Sequence, residues 1–315
     1  MRAFVTGGGG FIGRHLVGLL RDAGSGVRAL ARSTASAQRL REAGCEVVVG
    51  DASDEALLRS AVQGCDVAYH LAGDYRVGIR RSERAAMEAA NVTATERLLD
   101  AAVDAGVPRI VHVSTINAFG DTGYRVVDET YQRPRPYRYV SVYDETKHRA
   151  HLAAHERIGA GAPVLIAMPG GVYGPADHSS LGGVLQQAAQ GRLAALTFGD
   201  AGLNMAHVED IATGILLVGE RGRLGDAYVL GGEITTLAEL VRRVAAITGR
   251  RPPRLATPPW LLRAAAPLAG LVGPNLGELV SASAGVTYWA TDAKARRELG
   301  YAPRDLETGL RATFR

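Results

Sequence analysis

The sequence predicts an α/β fold in which helices cover both faces of a doubly wound, parallel sheet. Apolar runs alternate with helical patterns along the first half of the chain, and a glycine-rich turn follows the first run. Several runs are nearly continuous in valine, isoleucine and alanine, as is typical of strands that are covered on both faces. A smaller α/β unit is expected toward the C-terminus.

The elements follow from these patterns in chain order. We expect strands at residues 3–6, 26–31, 45–49, 67–71, 109–114 and 163–168. The helical patterns between them cover residues 13–22, 35–43, 55–62, 83–105 and 142–159. Side chains that act together are expected at the carboxyl ends of the strands, where ligands bind in open parallel sheets.

The alternation loosens after residue 169. Further helices are predicted at 182–191 and 209–220, and further strands at 194–198 and 227–230. Thr236 and Glu239 form a capping box that opens a helix ending at Ile247. We therefore predict a nucleotide-binding domain at 1–168, to which 204–226 returns, and a substrate-binding unit formed by 169–203 and 227–315.

The glycine-rich turn lies directly between the first strand and the first helix. Two registers fit a dinucleotide fingerprint, Gly8-x-Gly10-x-x-Gly13 and the looser Gly7-x-x-Gly10-x-x-Gly13. In either register, glycines let the backbone approach a pyrophosphate whose charge lies against the N-terminus of the following helix. The turn predicts a Rossmann-type cofactor site.

The end of the second strand indicates which cofactor is preferred. Sites for NAD usually carry an acid there to bind the ribose 2′-hydroxyl, but this chain has Arg32, followed by Ser33 and Thr34. A guanidinium pairs well with a 2′-phosphate, so we expect NADP(H) to be preferred, with NAD(H) as the second choice. Asp51 after the third strand either accepts a bond from the adenine amino group or caps the next helix.

Tyr143 and Lys147 form the most informative pair in the chain. The sequence has only two lysines among 36 lysine and arginine residues, and one stands four positions after a tyrosine in a predicted helix. Such residues share one helix face, so the ammonium is expected to lower the pKa of the phenol. A phenol tuned in this way is a general acid for a ketone or a general base for an alcohol.

Composition excludes other classes of function. The net charge is +4, but the arginines are scattered, and the strongest local group, at residues 133–138, is short, so no nucleic-acid partner is expected. Cys45 and Cys65 have no metal or redox spacing, and we expect no metal. We expect a cytoplasmic protein, since no export segment precedes the first strand. The apolar stretch 260–273 is too short to span a bilayer and suits a lid or core packing.

Further landmarks accompany the glycine turn and the Tyr143–Lys147 pair. They are His70-Leu71-Ala72, Asn91-Val92-x-x-Thr95, Val113-Ser114-Thr115, Tyr173-Gly174-Pro175, His207-Val208-Glu209-Asp210 and Leu299-Gly300-Tyr301-x-Pro303. Together they resemble the extended short-chain dehydrogenase/reductase superfamily, of the NAD-dependent epimerase/dehydratase type. The chain looks closest to the dihydroflavonol 4-reductase, 3β-hydroxysteroid dehydrogenase and hopanoid-associated sugar epimerase branches.

The resemblance implies roles for particular residues. It makes Tyr143, Lys147 and Thr115 catalytic, with Ser114 as the second choice for the hydroxyl, and Asn91 either supports the site or is purely structural. Lys147 would also bond the nicotinamide ribose. The implied cofactor-binding set is Gly7, Gly10, Phe11, Ile12, Gly13, Arg32, Asp51, Ala52, Leu71, Ala72, Gly73, Lys147, Pro169 and Val172.

Two departures from related enzymes bear on the substrate. Sugar-nucleotide dehydratases carry an Asp-Glu pair after the threonine, where this chain has Ile116-Asn117, so dehydration is not expected. Related epimerases place a diphosphate-binding arginine before the stretch at 207–210, and 202–206 has none. We therefore expect a less charged substrate, with contacts from Tyr75, Asn117, Met168, Tyr173, Trp260 and Leu262.

Three functions are compatible with the sequence. The first is an NADP(H)-dependent oxidoreductase that interconverts a carbonyl and a secondary alcohol on a small or medium, largely apolar substrate. The second is an epimerase of a sugar or polyol derivative that works through a transient ketone. The third is a cofactor-binding redox sensor without catalysis. Relatives pair through the helices at 83–105 and 142–159, so a homodimer is expected.

Overall fold

The computed structural model describes residues 1–258 and 275–315, and its centre is a seven-stranded sheet in which all neighbours are parallel. The strands are β1 (Arg2–Thr6), β2 (Gly26–Ala31), β3 (Glu46–Val49), β4 (Val67–His70), β5 (Ile110–Val113), β6 (Val164–Pro169), β7 (Gly171–Tyr173), β8 (Ala195–Thr197), β9 (Gly202–His207), β10 (Ala227–Leu230), β11 (Glu233–Thr236) and β12 (Leu255–Thr257). The large sheet has the order β10-β6-β5-β4-β1-β2-β3. The strand order reverses between β1 and β4, where a crevice for a ligand is expected.

Helices cover both faces of this sheet. They are α1 (Gly13–Asp22), α2 (Thr34–Glu42), α3 (Glu55–Val62), α4 (Arg84–Glu88), α5 (Ala94–Asp104), α6 (Val142–Gly159), α7 (Ser180–Ala189), α8 (Val208–Arg221) and α9 (Leu237–Ile247), with later helices at Leu276–Ser283, Ala293–Leu299 and Leu306–Phe314. One buried cluster joins the sheet to α1, α2 and α8, and another joins the opposite face to α3, α5 and α6. The doubly wound arrangement predicted from the sequence is confirmed.

The first-half elements lie within one residue of their predicted bounds, except for the helix expected at 83–105. That segment is divided into a short 3₁₀ turn, α4, one turn of π-helix at Ala89–Thr93, and α5. The wider turn contains Asn91, whose side chain is buried and bonded to a neighbouring loop. Such π-turns occur often at functional sites, and apolar periodicity does not detect them.

Side-chain caps explain where several helices begin. Ser33, Asp54, Ser141 and Thr236 each accept a hydrogen bond from a backbone N–H in the first turn of the helix that follows. These bonds satisfy donors that have no partner within the helix. The predicted capping site at Thr236 opens α9, which ends at Ile247 as expected.

The second unit is smaller than predicted. It contains a three-stranded sheet, β11-β9-β7, a two-stranded sheet, β12-β8, and a third core between α7 and α9. Residues 227–230 were assigned to this unit, but β10 is fully buried and pairs with β6 at the edge of the large sheet. Conversely, 204–207 belongs to β9 of the small sheet. Helix α8, which lies within the segment 204–226 predicted to return to the large domain, packs on α1 and β6.

Both cysteines, Cys45 and Cys65, are buried free thiols. Across residues 1–258 and 275–315, no helix has the length and apolar character needed to cross a bilayer. The predicted apolar stretch at 260–273 lies outside the described residues.

Candidate active site

The glycine turn after β1 shows which register the backbone requires. Gly7 has a positive φ of 71°, and a Cβ there would lie 2.7 Å from the backbone of Leu71 and Ala72. A Cβ on Gly13 would lie 2.1 Å from the Gly7 carbonyl oxygen, whereas one on Gly8 would meet only side-chain atoms, at 3.2 Å or more. The backbone therefore demands glycine at positions 7 and 13, which favours the looser register.

Two adjoining cavities open beside this turn, above the carboxyl ends of the strands. The first has a volume of about 750 Å³ and the second about 880 Å³. Every residue predicted to be catalytic or to bind cofactor lines one or both cavities. The glycine turn stands at the boundary between them, with helix α1 beginning at Gly13. This cradle, in which an added Cβ would collide with backbone, fits the pyrophosphate of a dinucleotide.

The second cavity contains the residues expected around the adenosine end of a cofactor. Exposed Arg32 lines it beside Ser33 and Ser36, opposite Asp51 and Ala52. Asp51 accepts a hydrogen bond from the Ser53 backbone N–H at 2.8 Å, and bonds to Ser53 lower the pKa of its carboxyl. The helix cap itself is Asp54, so Asp51 orders the preceding turn while still facing the cavity.

The first cavity brings together the three residues predicted to be catalytic. Tyr143 and Lys147 lie in the first turns of α6, and Thr115 follows β5. The Thr115 hydroxyl lies close enough to the Tyr143 phenol to lower the pKa of that phenol, and it donates a hydrogen bond to Asn117 Oδ1 at 3.2 Å. The Lys147 ammonium donates to the Val113 carbonyl oxygen at 3.2 Å. Two hydroxyls and a buried amine thus converge on one volume, which suits proton transfer to a polarised oxygen.

Ser114, the alternative to Thr115, has a different environment. Its hydroxyl is 3.1 Å from Nδ1 of His151, whereas Thr115 contacts the Tyr143 phenol. Thr115 also caps the short helical turn that follows by accepting from the Asn117 N–H at 3.2 Å. This geometry favours Thr115 as the hydroxyl that acts with Tyr143.

The pKa values of Tyr143 and Lys147 differ from the expectation. Burial raises the pKa of the Tyr143 phenol well above its usual value, and Tyr75 adds to the effect, while the Thr115 hydroxyl opposes it. Burial also lowers the pKa of Lys147 to about 8. The expected lowering of the phenol pKa by Lys147 is therefore wrong for the protein without cofactor, because burial of the phenol has the largest effect and raises the pKa. The phenol is held in its protonated form, ready to donate.

The residues predicted to contact substrate divide into two groups. Tyr75 and Asn117 line the first cavity, and the Tyr75 ring packs edge-on against Tyr143 at 4.7 Å between ring centres. Met168 and Tyr173 need correction, because both side chains are fully buried in the core clusters and neither lines the cavity. Trp260 and Leu262 lie outside the described residues.

A buried chain of hydrogen bonds connects the start of the glycine turn to the π-turn. These hydrogen bonds were not predicted from the sequence. The Ala72 N–H donates to Thr6 Oγ1, which is 2.7 Å from Nδ1 of His70, and Nε2 of His70 is 3.0 Å from Thr95 Oγ1. Because the Thr95 hydroxyl donates to the Asn91 carbonyl, it accepts from His70, and this assigns the Nε2–H tautomer. Both His70 and Thr95 belong to sequence landmarks, but only the folded structure shows that they are hydrogen-bonded to each other.

Asn91 and Arg133 hold the segments next to Tyr143. The Asn91 side chain accepts from the Asp74 N–H at 2.6 Å and donates to Thr146 Oγ1 at 3.0 Å, so it joins the cavity wall to α6. Arg133, part of the arginine group noted in the sequence, forms a buried ion pair with Asp144 at 2.6 Å. Asn91 and Arg133 therefore hold neighbouring loops against α6, the helix that carries Tyr143 and Lys147.

Comparison with known proteins places this geometry in context. A model of the NAD-dependent epimerase/dehydratase family matches residues 3–231. The chain is 32% identical over 313 residues to the 4-hydroxy-2-methyl-3-oxo-4-farnesyl-3,4-dihydroquinoline-1-oxide ketoreductase of Stigmatella aurantiaca, covering 96% of this chain and 92% of that protein. It is 29% identical over 321 residues to a Mycobacterium tuberculosis 3 beta-hydroxysteroid dehydrogenase/isomerase, covering 96% and 86%.

Solved structures show the same fold. The crystal structure of DesIV, a dTDP-glucose 4,6-dehydratase from Streptomyces venezuelae with NAD bound, has a TM-score of 0.79 and 28% identity to this chain. The match covers 100% of this chain and 96% of that structure.

Proposed function

Because the chain belongs to the NAD-dependent epimerase/dehydratase family, within the extended short-chain dehydrogenases/reductases, we propose that it is an NADP(H)-dependent oxidoreductase. It interconverts a carbonyl and a secondary alcohol on a small or medium, largely apolar substrate. The observation that carries this proposal is that Thr115, Tyr143 and buried Lys147 line one cavity, which adjoins the glycine turn.

Each residue of the site has a separate role in the proposed reaction. Thr115 and Tyr143 bind the substrate oxygen, and in the reducing direction the Tyr143 Oη proton moves to that oxygen. Lys147 supplies positive charge that stabilises the phenolate left behind, since a pKa of about 8 keeps most of its amine protonated near neutral pH. The bound nicotinamide cofactor supplies the hydride. Residues 7–13 would hold its pyrophosphate, and Lys147 its nicotinamide ribose.

An apolar substrate is supported by apolar side chains that line the cavity with Tyr143, among them Tyr75, Ala176 and Leu181. Two similar proteins are named for a farnesyl-bearing quinoline ketone and for a 3 beta-hydroxysteroid. The run 202–206, in which related epimerases carry an arginine, has none, and its polar residue Asn204 is buried and accepts a hydrogen bond from the Gly232 N–H at 2.7 Å. This site offers no charge to a diphosphate there.

The preference for NADP(H) is supported by Arg32, which lines the second cavity without an ion pair to any residue in the described ranges. If Arg32 bonds the 2′-phosphate, Arg32→Ala raises the Kd of NADPH about 10- to 100-fold and leaves that of NADH unchanged. Fluorescence titration measures both constants, with Arg41→Ala on the following helix, α2, as the control. Equal weakening of both cofactors would argue against the preference.

The function is tested with a panel of cyclic ketones, steroid ketones and nucleoside-diphosphate sugars, monitored by NADPH oxidation. On the best ketone, Tyr143→Phe should lower kcat roughly 10²–10⁴-fold while the Kd of NADPH is retained. Tyr124→Phe, which changes an exposed phenol, is the matched control. Wild-type turnover by Tyr143→Phe, or epimerisation of a sugar with no net oxidation of NADPH, would overturn the proposal.

A homodimer formed through the helices at 83–105 and 142–159, and a cytoplasmic location, remain predictions. Light scattering coupled to size-exclusion chromatography tests the dimer. A single-subunit mass at micromolar concentration would rule it out under those conditions.

A further inference from the structure

Helix α6 carries four chemically active side chains at intervals of four residues. They are Tyr143, Lys147, His151 and His155. Residues at this spacing lie above one another on one face of a helix, so the row continues from the active-site cavity along α6. Tyr143 and Lys147 line the cavity, His151 is buried, and His155 is exposed. The mechanism described so far uses only the first two.

The two histidines are joined to the cavity by hydrogen bonds. Nε2 of His155 is 3.0 Å from Nε2 of His151, and Nδ1 of His151 is 3.1 Å from Oγ of Ser114. Ser114 itself lines the cavity that holds Tyr143 and Lys147. Ser114, His151 and His155 therefore form a hydrogen-bonded chain that runs from the cavity to the exposed His155 ring. Each of the three groups can both donate and accept a proton.

We propose that Ser114, His151 and His155 form a proton path that connects the active-site cavity with solvent and reprotonates Tyr143 during ketone reduction. The proposal rests on the proposed function, because each reduction takes one proton from the Tyr143 phenol. The path deepens that function by assigning the route by which the proton is replaced.

Each complete proton transfer along Ser114, His151 and His155 leaves the number of protons on these groups unchanged. A proton from solvent binds the free ring nitrogen of His155, and the Nε2 proton of His155 passes to Nε2 of His151. The Nδ1 proton of His151 passes to Ser114 Oγ, and the Ser114 hydroxyl proton passes through cavity water to the Tyr143 phenolate. One proton enters and one leaves. A turn of the hydroxyl and the rings restores the starting bonds, and alcohol oxidation uses the same row in reverse.

The surroundings keep His151 suitable for this role. Burial, and then the positive charges of His155, His148 and Lys147, lower the pKa of His151 to about 3. His112, on β5, belongs to the same group of interacting rings. His151 is therefore neutral near pH 7. A neutral imidazole accepts at one nitrogen while it donates from the other, which a charged one does not.

The first measurement needs no substrate. In cofactor-free protein labelled with ¹⁵N at histidine, a scalar coupling between the Nε2 atoms of His151 and His155 is expected across their N–H···N bond. Ser114→Ala should shift the Nδ1 resonance of His151 and leave that coupling in place. Absence of the coupling would overturn the path, whatever activity the protein has.

The second measurement uses the ketone that the wild type reduces best. His155→Ala should lower kcat by about tenfold or more, with the KM for the ketone unchanged, and added imidazole should restore it by replacing the missing ring. His151→Phe should show the same loss without rescue, because its position is buried. Glu156 is an exposed neighbour on α6 and provides the control. The kcat of Glu156→Gln should equal that of the wild type and should not change when imidazole is added.

These results separate the two proposals. Full turnover by His155→Ala, or a loss that imidazole does not restore, would overturn the path and leave the proposed function intact. A protein that reduces no ketone of the panel would overturn the proposed function, and the path with it.

Discussion

His70 and His112 lie on adjacent strands, are both fully buried, and stack with their ring centres 5.7 Å apart. Their hydrogen bonding is opposite. His70 is bonded at both ring nitrogens, to Thr6 and Thr95, whereas neither nitrogen of His112 has a partner in the part of the chain that the structure describes. A buried polar group without a partner costs free energy, so these two rings should contribute differently to stability.

We predict that His70→Leu destabilises the fold by about 2–4 kcal/mol, because it removes one buried hydrogen-bond partner from each of the Thr6 and Thr95 hydroxyls. His112→Leu removes an unsatisfied group of similar size and should be neutral or stabilising by about 1 kcal/mol. Urea denaturation of the two variants measures the difference. An equal loss of unfolding free energy in both would contradict the prediction.

At the scale of elements, the decisive contact is between the β1 turn and helix α1. Two glycines of α1 differ sharply in their surroundings. Gly13 begins the helix against the Gly7 carbonyl, while Gly18 has no atom within 4 Å of the position where a Cβ would stand. The same substitution at the two positions therefore separates close packing from intrinsic helix preference.

Gly13→Ala should push α1 away from the turn, which costs about 1–3 kcal/mol of stability and weakens cofactor binding, since the phosphate cradle is displaced. Gly18→Ala should stabilise the protein by about 1 kcal/mol and leave cofactor affinity unchanged, because alanine is the better helix former. Unfolding free energies and NADPH titrations test both. Unchanged NADPH affinity in Gly13→Ala would mean that the cradle is not where we place it.

The whole molecule should respond to acid through its buried histidines. Burial lowers the pKa values of His70, His112 and His151 below their ordinary value of about 6.5. Below that pH the unfolded chain binds more protons than the folded one. The stability contributed by the neutral rings is therefore fully present above about pH 6.5 and is lost as the pH falls toward their folded pKa values.

Each such histidine should change the unfolding free energy by about 1.4 kcal/mol per pH unit below pH 6.5. We predict that His112→Leu reduces the slope between pH 6.5 and 5 by this amount relative to the wild type. Urea denaturation at several pH values gives both slopes. Parallel slopes in the two proteins would show that His112 does not titrate as a buried base.

Much of the molecule was predictable because its signals are local. The glycine turn, the strand–helix alternation and the Tyr143–Lys147 spacing extend over a few residues, and their outlines agree with the structure. The π-turn at Ala89–Thr93 was missed because it depends on where the Asn91 side chain finds partners. Met168 was misplaced as a substrate contact because an apolar residue at a strand end gives no indication of which way it faces.

The sequence by itself determined the fold class, the position of the glycine turn and the placement of Tyr143 and Lys147 on one face of a helix, since periodicity, glycine requirements and helical spacing act between near neighbours. Only the tertiary structure decided that β10 returns to the large sheet, that the Tyr143 phenol is held protonated, and that His151 and His155 extend the row from Lys147 to the exposed end of α6. These outcomes depend on burial and on contacts between distant segments. Desolvation and long-range pairing arise only when the chain is packed.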